Sequence, residues 1–295
     1  MENLLKKYNL DINEREIHDE VKHITSNISS LYNIANLKRI FSLIDLTTLS
    51  TEDTQTKAKL FADNVSNFKE KFPEMPNVAA ICVYPTLVET VRKNLKAENV
   101  NIASVVGGFP SSQTFLNIKE TETKAAIKAG ADEADMVISV GEFLEGNYQV
   151  TFDEVKTLKK AVGKGHLKVI LESGLLQNLK NVKTASILSM EAGCDFIKTS
   201  TGKTSPAATL DAVYIMAEAI KEYYEKTGKK IGLKPAGGIS DSETAVKYFA
   251  IMKNVLGEEW LTPEFFRIGA SSLANNILTD ISRMSSDNKA EVKYF

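Results

Sequence analysis

Short apolar and β-branched runs recur along the chain at similar spacings, and this rhythm limits the folds open to it. Eight such runs occur, and stretches with helical periodicity separate most of them. This alternation predicts βαβ units with right-handed crossovers, and eight units predict a parallel (β/α)8 barrel, also called a TIM barrel. The predicted strands are Ile40 to Thr47, Val78 to Tyr84, Ile102 to Val106, Ala134 to Val140, Leu167 to Glu172, Phe196 to Thr199, Ile231 to Lys234 and Phe266 to Ile268.

Glycine follows three of the predicted helices between these strands, as is typical of helix ends. A doubly wound open sheet fits the same alternation of strands and helices. However, the first strand is not followed by the glycine-rich dinucleotide motif of such folds. The number of strands therefore favours the barrel. The three helices are predicted over Glu120 to Ala129, Lys180 to Ala192 and Ala207 to Thr227.

Segments at both ends lie outside the barrel, which is predicted over residues 39–284. Residues 285–295 are polar up to Val292 and are predicted to form a flexible tail. Residues 1–38 form a helical extension that is expected to cover the bottom of the barrel or to extend a subunit contact. It contains one predicted amphipathic helix. The apolar positions of that helix are Ile17, Val21, Ile24, Ile28 and Leu31.

Composition excludes several functional classes. The net charge of -2 gives no electrostatic basis for binding nucleic acid or an anionic membrane, and no apolar run has the length of a membrane span. Cys82 and Cys194 have no pairing or metal-ligand spacing and are predicted to be reduced thiols. We therefore expect a cytoplasmic protein, with a homodimer as the commonest assembly.

Two lysines lie within strand-like apolar runs, Lys198 in FIKTSTGK and Lys234 in GLKPAGG. A solvated lysine keeps its proton up to about pH 10.4. Two ammonium groups about 4 Å apart repel by roughly 4 kcal/mol, which would lower the pKa of one amine by roughly three units and leave a nucleophile for Schiff-base chemistry. Alternatively, each amine extends to water or pairs with Asp195 or Glu172. Each lysine is followed by small residues and glycine, and this shared pattern favours a catalytic role over the alternative.

Polar residues at the carboxyl ends of the strands are expected to meet at one mouth, where barrels of this kind build their sites. Asp45 and Lys168 join the two lysines there. Asp135 lies in an apolar run and either relays a proton or serves only as the structural partner of a lysine.

Three loop clusters predict a phosphate site after strands six, seven and eight: residues 200–203, 236–238 and 269–272. Glycines let backbone N–H groups approach an anion, and the next helix adds the partial positive charge of its N-terminus. Each cluster alone is ordinary loop sequence. Their joint placement matches the usual phosphate position of these barrels.

Histidines are too few for a catalytic metal site of the kind that needs several of them around one ion. The chain has three. His18 and His23 are not at the spacing of a helical ligand pair, and His166 lies at the amino end of a strand. We expect no metal and no cofactor, with the amine carrying the reaction.

These motifs closely resemble the deoxyribose-phosphate aldolase family, from about Leu43 to Asn276. The resemblance rests on both lysine motifs and on DLTTL at 45–49, AAICVYP at 79–85, ADEAD at 131–135 and GASS at 269–272. Members of this family are class I aldolases that cleave 2-deoxy-D-ribose 5-phosphate to D-glyceraldehyde 3-phosphate and acetaldehyde. The resemblance thus implies a phosphorylated deoxy sugar and small aldehydes as ligands.

The resemblance also implies a role for each matching residue. Lys198 forms the Schiff base, Lys234 is the cation that lowers its pKa, and Asp135 with Lys168 relays protons. Some relatives end in a tyrosine that can reach the site, whereas here Tyr294 is followed by Phe295. Cys82 would lie beside the pocket, or would be only a small core residue. Substrate or phosphate contacts are implied for Asp45, Thr47, Cys82, Thr201, Gly202, Lys203, Gly237, Gly238, Ser271 and Ser272.

Two other functions fit the same residues. A Schiff-base barrel for another phosphorylated sugar, such as a transaldolase-like or ketose aldolase, would not use an aldehyde donor exclusively. A silent phosphosugar-binding barrel would bind deoxyribose 5-phosphate without forming a covalent imine.

Overall fold

The computed structural model describes residues 1–285 and 290–295. Over these residues it contains β1 Ile44–Thr47, β2 Ala80–Val83, β3 Asn101–Val106, β4 Glu133–Val137, β5 His166–Ile170, β6 Phe196–Lys198, β7 Gly232–Lys234 and β8 Ile268–Ala270. The strands are parallel and neighbour one another in the order β7-β6-β5-β4-β3-β2-β1-β8. The predicted (β/α)8 barrel is confirmed.

Single bridges close the barrel between β7 and β8. Leu233 pairs with Phe266 and Ala236 pairs with Gly269, both in parallel orientation. Pro235 lies between these bridges and has no N–H to donate, although its carbonyl accepts a hydrogen bond from the Gly269 N–H at 2.9 Å. The proline therefore interrupts the hydrogen-bond ladder at this seam.

Helices surround the sheet and bury their apolar faces against it. No helix in the described part of the chain is long and apolar enough to cross a membrane. Short 3-10 turns lie at Pro85–Leu87, Ser173–Leu175 and Glu258–Trp260. The α-helices are α1 Glu2–Leu5, α2 Glu14–Thr25, α3 Ile34–Ser42, α4 Gln55–Ser66, α5 Phe68–Lys71, α6 Val88–Asn94, α7 Leu116–Lys128, α8 Val140–Leu144, α9 Tyr148–Val162, α10 Leu179–Glu191, α11 Leu210–Thr227, α12 Ser242–Leu256 and α13 Leu273–Ser285.

Three of the predicted strand bounds are wrong. Ile40 belongs to α3, Val140 opens α8, and Phe266 makes only an isolated bridge ahead of β8. Ile40 is fully buried in its helix, and a short apolar run has the same appearance in a buried helix as in a buried strand. Tertiary packing rather than local sequence decides these boundaries.

The amino-terminal helix is shorter than predicted. α2 ends at Thr25, whose hydroxyl donates to a backbone carbonyl one turn earlier, and Ser26 does the same. Such side chains compete with the helix for backbone groups and favour its end. Ile28 and Leu31 lie beyond the helix, although they still pack against the core. α2 itself packs against α11 and α12 on the outside of the helix layer, and the predicted boundary after residue 38 falls inside α3.

The carboxyl end is packed, in contrast to the flexible tail that its polar composition predicts. Residues 286–289 of that tail lie outside the described residues. Further on, the Tyr294 hydroxyl donates to the Asn64 carbonyl at 2.8 Å. The rings of Tyr294 and Phe295 contact Phe68, with centroid distances of 5.5 and 5.3 Å. Two aromatic side chains therefore hold the end of the chain against the outer helices.

Candidate active site

A cavity of about 470 Å³ opens at the carboxyl ends of the strands. The side chain of Lys198 reaches it from the end of β6, and the loops after β1, β6, β7 and β8 form its walls. These are the loops in which the sequence predicts a sugar and phosphate site. The predicted contact residues that line the cavity are Thr47, Thr201, Gly202, Lys203, Gly237, Gly238, Ser271 and Ser272.

Thr48, Leu49, Ala236, Gly269 and Ala270 also line the cavity and belong to the motifs and clusters identified in the sequence. Three further wall residues were not singled out: Ser50, Ile239 and Ser240. They directly follow the motifs DLTTL and GLKPAGG, so extending those motifs along their loops would have found them.

Two features fix the shape of the cavity mouth. The ammonium group of Lys203 donates to the Leu49 carbonyl at 2.5 Å and so ties the loop after β6 to the loop after β1. Gly237 has φ +87°, and a Cβ atom there would lie 2.6 Å from the Cβ of Ala207. Only glycine fits both the backbone conformation and the space at this position.

Glu172 lies outside the cavity and binds Thr201, a residue of the cavity wall. Its backbone is in the left-handed region, with φ 54°, and its buried carboxylate accepts hydrogen bonds from the Thr201 N–H at 3.1 Å and the Thr201 hydroxyl at 2.6 Å. Left-handed backbone is uncommon for a side chain larger than glycine and is kept where other contacts hold it. Glu172 thus positions the loop that follows Lys198.

The amines of Lys198, Lys234 and Lys168 converge on one carboxylate below the cavity. Lys198 Nζ lies 2.9 Å and Lys234 Nζ 2.8 Å from the same Asp135 Oδ2 atom, while Lys168 Nζ lies 3.0 Å from Asp135 Oδ1. All four side chains are buried. Four neighbouring strands, β4 to β7, supply one residue each.

The alternative partners proposed for the lysines are wrong. Asp195 pairs with Lys159, whose Nζ lies 2.6 Å from its Oδ2. Glu172 instead binds Thr201. Neither carboxylate is therefore available to neutralise Lys198 or Lys234.

Electrostatics separate the two lysines at the ends of β6 and β7. Burial lowers the pKa of Lys198, and the positive charge of Lys234 lowers it further, against the opposing effect of Asp135. Burial also disfavours a charged Lys234, but the carboxylates of Asp135 and Asp45 outweigh it and raise the pKa of Lys234. The arrangement therefore favours a free amine at Lys198 beside a permanent ammonium at Lys234.

Asp135 remains ionised in this setting. Burial alone would raise the pKa of its carboxyl, but Lys168, Lys198 and Lys234 together hold that pKa well below its usual range. A carboxylate between three amines can accept a proton from one and return it to another.

Asp45 and Cys82 do not line the cavity. Asp45 is fully buried under the cavity, with Oδ2 2.5 Å from Lys234 Nζ, so its carboxylate contacts the lysine and not the sugar site. Cys82 is also fully buried and packs with Leu49 and Ala103. Burial raises the pKa of its thiol. The interpretation of Cys82 as a small core residue fits the structure.

Two charged residues of this network were given no role in the sequence analysis, although Glu133 lies within the motif ADEAD. Arg267 binds Asp45, with Nη1 2.7 Å from Oδ1, and Glu133, with Nη2 2.9 Å from Oε1. Glu133 also accepts a hydrogen bond from Lys168. The signal was an arginine inside the apolar run FFRIGA, since a buried arginine requires carboxylate partners.

Within residues 1–285 and 290–295 no cluster of histidine, cysteine and carboxylate side chains has the arrangement of a metal site. His18 and His23 are exposed, and His18 Nδ1 lies 3.2 Å from the Asp211 carboxylate.

A parallel barrel that presents a buried amine beside glycine-rich loops at its carboxyl end defines the class of aldolase barrels. The chain belongs to one family of that class, the DeoC/LacD family aldolases, whose model matches residues 39–277. The resemblance seen in the motifs is thereby confirmed.

Relatives are similar over most of their length. A protein of Caenorhabditis elegans is 43% identical over 272 residues, which cover 91% of this chain and 89% of the relative. The deoxyribose-phosphate aldolase of Homo sapiens is 41% identical over 256 residues, covering 82% of this chain and 79% of the human protein.

Solved structures share the fold. The deoxyribose phosphate aldolase from Aeropyrum pernix, described as a tetramer, superposes with a TM-score of 0.69 at 24% identity and covers 88% of this chain and 97% of its own. The aldolase QR15 superposes with a TM-score of 0.68 at 26% identity. The match covers 83% of this chain and 97% of the QR15 chain.

Proposed function

We propose that this protein is a deoxyribose-phosphate aldolase that cleaves 2-deoxy-D-ribose 5-phosphate reversibly to D-glyceraldehyde 3-phosphate and acetaldehyde through a Schiff base on Lys198. One observation carries the proposal: among the lysines of the described residues, Lys198 both reaches the cavity and has a lowered pKa. The human and bovine relatives named deoxyribose-phosphate aldolase support the choice of substrate.

The neutral amine of Lys198 attacks C1 of the open-chain sugar. The carbinolamine loses water and becomes an iminium ion, which draws electrons from the C2–C3 bond as the C3 hydroxyl gives up its proton. That bond breaks, glyceraldehyde 3-phosphate leaves, and an enamine stays on Lys198. Protonation at C2 and hydrolysis of the resulting iminium release acetaldehyde and regenerate the amine.

Asp135 and Lys168 serve as the proton relay in this scheme. Asp135 accepts hydrogen bonds from both Lys198 and Lys168, so a proton can move across the carboxylate without crossing solvent. Lys234 stays an ammonium and acts through its field. No metal or other cofactor takes part in the proposed steps.

The phosphate occupies the part of the cavity formed by the last three loops. Gly237 and Gly238 have positive φ values, as do the glycines of many loops that turn N–H groups toward an anion. Ser271 and Ser272 directly precede α13, whose N-terminus favours negative charge. Lys203 adds a positive charge at the mouth. Thr47 and Thr201 lie nearer the sugar.

The proposal extends to the setting of the enzyme. Cys82 and Cys194 are both free and buried, which suits a reducing compartment such as the cytoplasm. Deoxyribose phosphate catabolism would be the corresponding process. A homodimer remains the expected assembly, and light scattering at several protein concentrations tests it against a tetramer.

Borohydride trapping tests the proposed reaction. Sodium borohydride reduces an imine to a stable amine, so we expect a mass adduct on Lys198 after incubation with acetaldehyde or deoxyribose 5-phosphate. The Lys198→Met variant is expected to give no adduct, and Lys93→Met, which changes an exposed lysine of α6, is expected to behave like the parent protein.

Each rival predicts a different result. Trapping with a ketose phosphate but not with acetaldehyde would indicate another Schiff-base aldolase. Binding of deoxyribose 5-phosphate by the folded protein, with no adduct on any lysine, would indicate a silent phosphosugar-binding barrel.

A further inference from the structure

Beneath the cavity, the charged network continues away from the mouth. Glu133 is the first residue of β4, and Arg267 directly precedes β8, so both lie toward the amino ends of the strands. Both are buried, Arg267 with 3% of its surface exposed. Neither residue lines the cavity. A substrate held there cannot touch them.

A continuous set of ion pairs nevertheless connects Arg267 to Lys198. Arg267 contacts Asp45 at 2.7 Å and Glu133 at 2.9 Å. Asp45 then contacts Lys234 at 2.5 Å, and Glu133 contacts Lys168. Lys234 and Lys168 both bind Asp135, which in turn binds Lys198.

The charges of this set do not balance. Its carboxylates are Asp45, Glu133 and Asp135, and its basic groups are Lys168, Lys198, Lys234 and Arg267, so one basic group is in excess. A buried network with unpaired charge is costly, and neutralising one group removes that cost.

The network itself selects the group that becomes neutral. Arginine does not lose its proton in proteins. Lys234 lies between Asp45 and Asp135, and Lys168 lies among all the carboxylates of the set. Lys198 contacts Asp135 at one end of the network and faces the cavity. Lys198 is therefore the basic group that loses its proton at the lowest cost.

We propose that Arg267 and Glu133 are positioning residues that set the charge of the network and thereby the protonation of Lys198. Arg267 favours the free amine and Glu133 opposes it, although neither residue meets the substrate. Arg267 supplies the excess positive charge, and Glu133 limits it. The inference rests on the proposed function, because only a Schiff-base enzyme uses the neutral form of Lys198.

Titratable groups surround Lys198 on most strands of the barrel. The buried groups are, in strand order, Asp45 on β1, Cys82 on β2, Glu133 and Asp135 on β4, Lys168 on β5 and Lys234 on β7. Arg267 lies directly before β8. His166, at the amino end of β5, is partly exposed, with Nδ1 3.9 Å from Glu133 Oε1. Within β3 the buried polar side chain is Ser104, which does not titrate.

Two substitutions that change the net charge of the network in opposite directions test this role. We expect Arg267→Met to move the pH midpoint of acetaldehyde-dependent borohydride trapping at Lys198 upward by about one unit, because one positive charge is lost. Glu133→Gln removes a negative charge and is expected to move the midpoint downward by a similar amount. Arg267→Lys keeps the charge and is expected to stay near the parent value.

These variants distinguish a charge effect from a structural one. A purely structural role would slow trapping in both variants without moving the midpoints in opposite directions, and midpoints that do not move would overturn the proposal. Circular dichroism checks folding. If Arg267→Met does not fold, the comparison of Glu133→Gln with Arg267→Lys still decides the sign. Failure of the parent protein to trap acetaldehyde would instead contradict the proposed function.

Discussion

Lys198 and Lys234 share a single carboxylate oxygen, Asp135 Oδ2, at 2.9 and 2.8 Å. They are paired residues of adjacent strands β6 and β7, so their side chains rise side by side from the barrel wall. Lys234 also contacts Asp45 at 2.5 Å, whereas Lys198 extends into the cavity. The second carboxylate holds the proton on Lys234 and leaves Lys198 as the weaker base.

Replacement of Lys234 with leucine is expected to raise the pKa of Lys198, because a neighbouring positive charge is removed. The pH–rate profile for cleavage should move to higher pH, by roughly one to three units. Lys247→Leu, which changes a partly exposed lysine on α12, is the control and should keep the parent profile. An unmoved profile for Lys234→Leu would remove this role.

Replacement of Lys203 with methionine is expected to weaken binding of the phosphate group. Loss of one hydrogen bond to a charged group costs about 2 kcal/mol, so the KM for deoxyribose 5-phosphate should rise roughly 30-fold with a smaller change in kcat. Unphosphorylated deoxyribose provides the control, since its KM should stay the same. An equal loss with both sugars would show that Lys203 acts through the loop rather than on phosphate.

Gly269→Ala is expected to reduce kcat by displacing Lys234. A Cβ atom at Gly269 would lie 3.1 Å from Lys234 Cε and 2.8 Å from the Cβ of Ala236. The matched control is Gly141→Ala, where the nearest atom, on Gln113, lies 4.0 Å away. We expect at least a tenfold loss for the first variant and little change for the second, measured by steady-state kinetics on proteins with normal circular dichroism. Equal activities would refute the steric argument.

Tyr294→Ala is expected to lower stability but not activity. The ring packs against Phe68 and Phe72, with centroids 5.5 Å from each, on the outside of the barrel. Its loss should reduce the free energy of unfolding by roughly 2 kcal/mol, measured by urea titration. The kinetic constants should stay the same. A marked fall in kcat with unchanged stability would instead place the tail residue at the active site during turnover.

The buried carboxylates predict acid sensitivity. Lys168 and other cations hold the pKa values of Asp135 and Glu133 well below their usual range, despite burial, which acts in the opposite direction. Their folded-state pKa values lie below the unfolded ones, so this stabilisation is complete above about pH 5 and is lost as the pH falls through the folded-state values. For each group the loss is about 1.4 kcal/mol for every pH unit that separates its folded-state pKa from its unfolded-state pKa. Urea titrations from pH 7 to pH 3 measure it.

A control variant distinguishes the loss of these buried charges from the general destabilisation of a protein by acid. Asp19 is exposed on α2, and Asp19→Asn should leave the pH dependence of unfolding unchanged. A free energy of unfolding that does not fall with pH in the parent protein would contradict the assignment of Asp135 and Glu133 as ionised.

Much of the fold is encoded locally. Alternating apolar runs and helical segments determine a (β/α)8 barrel, and the carboxyl ends of parallel strands must share one face. The positions of Lys198, Lys234 and the glycine-rich loops at that mouth therefore follow from the order of residues alone. The strand limits at Ile40 and Val140 do not, because an apolar run is compatible with either a buried helix or a strand.

Only the tertiary structure decided which charges meet. Asp45, Glu133, Lys168 and Arg267 are far apart in sequence, and whether a side chain reaches the cavity or the network below it depends on the barrel register. The sequence by itself placed the amines of Lys198 and Lys234 in buried strands. Their protonation depends on the distances among charges supplied by different strands, and closure of the barrel sets those distances.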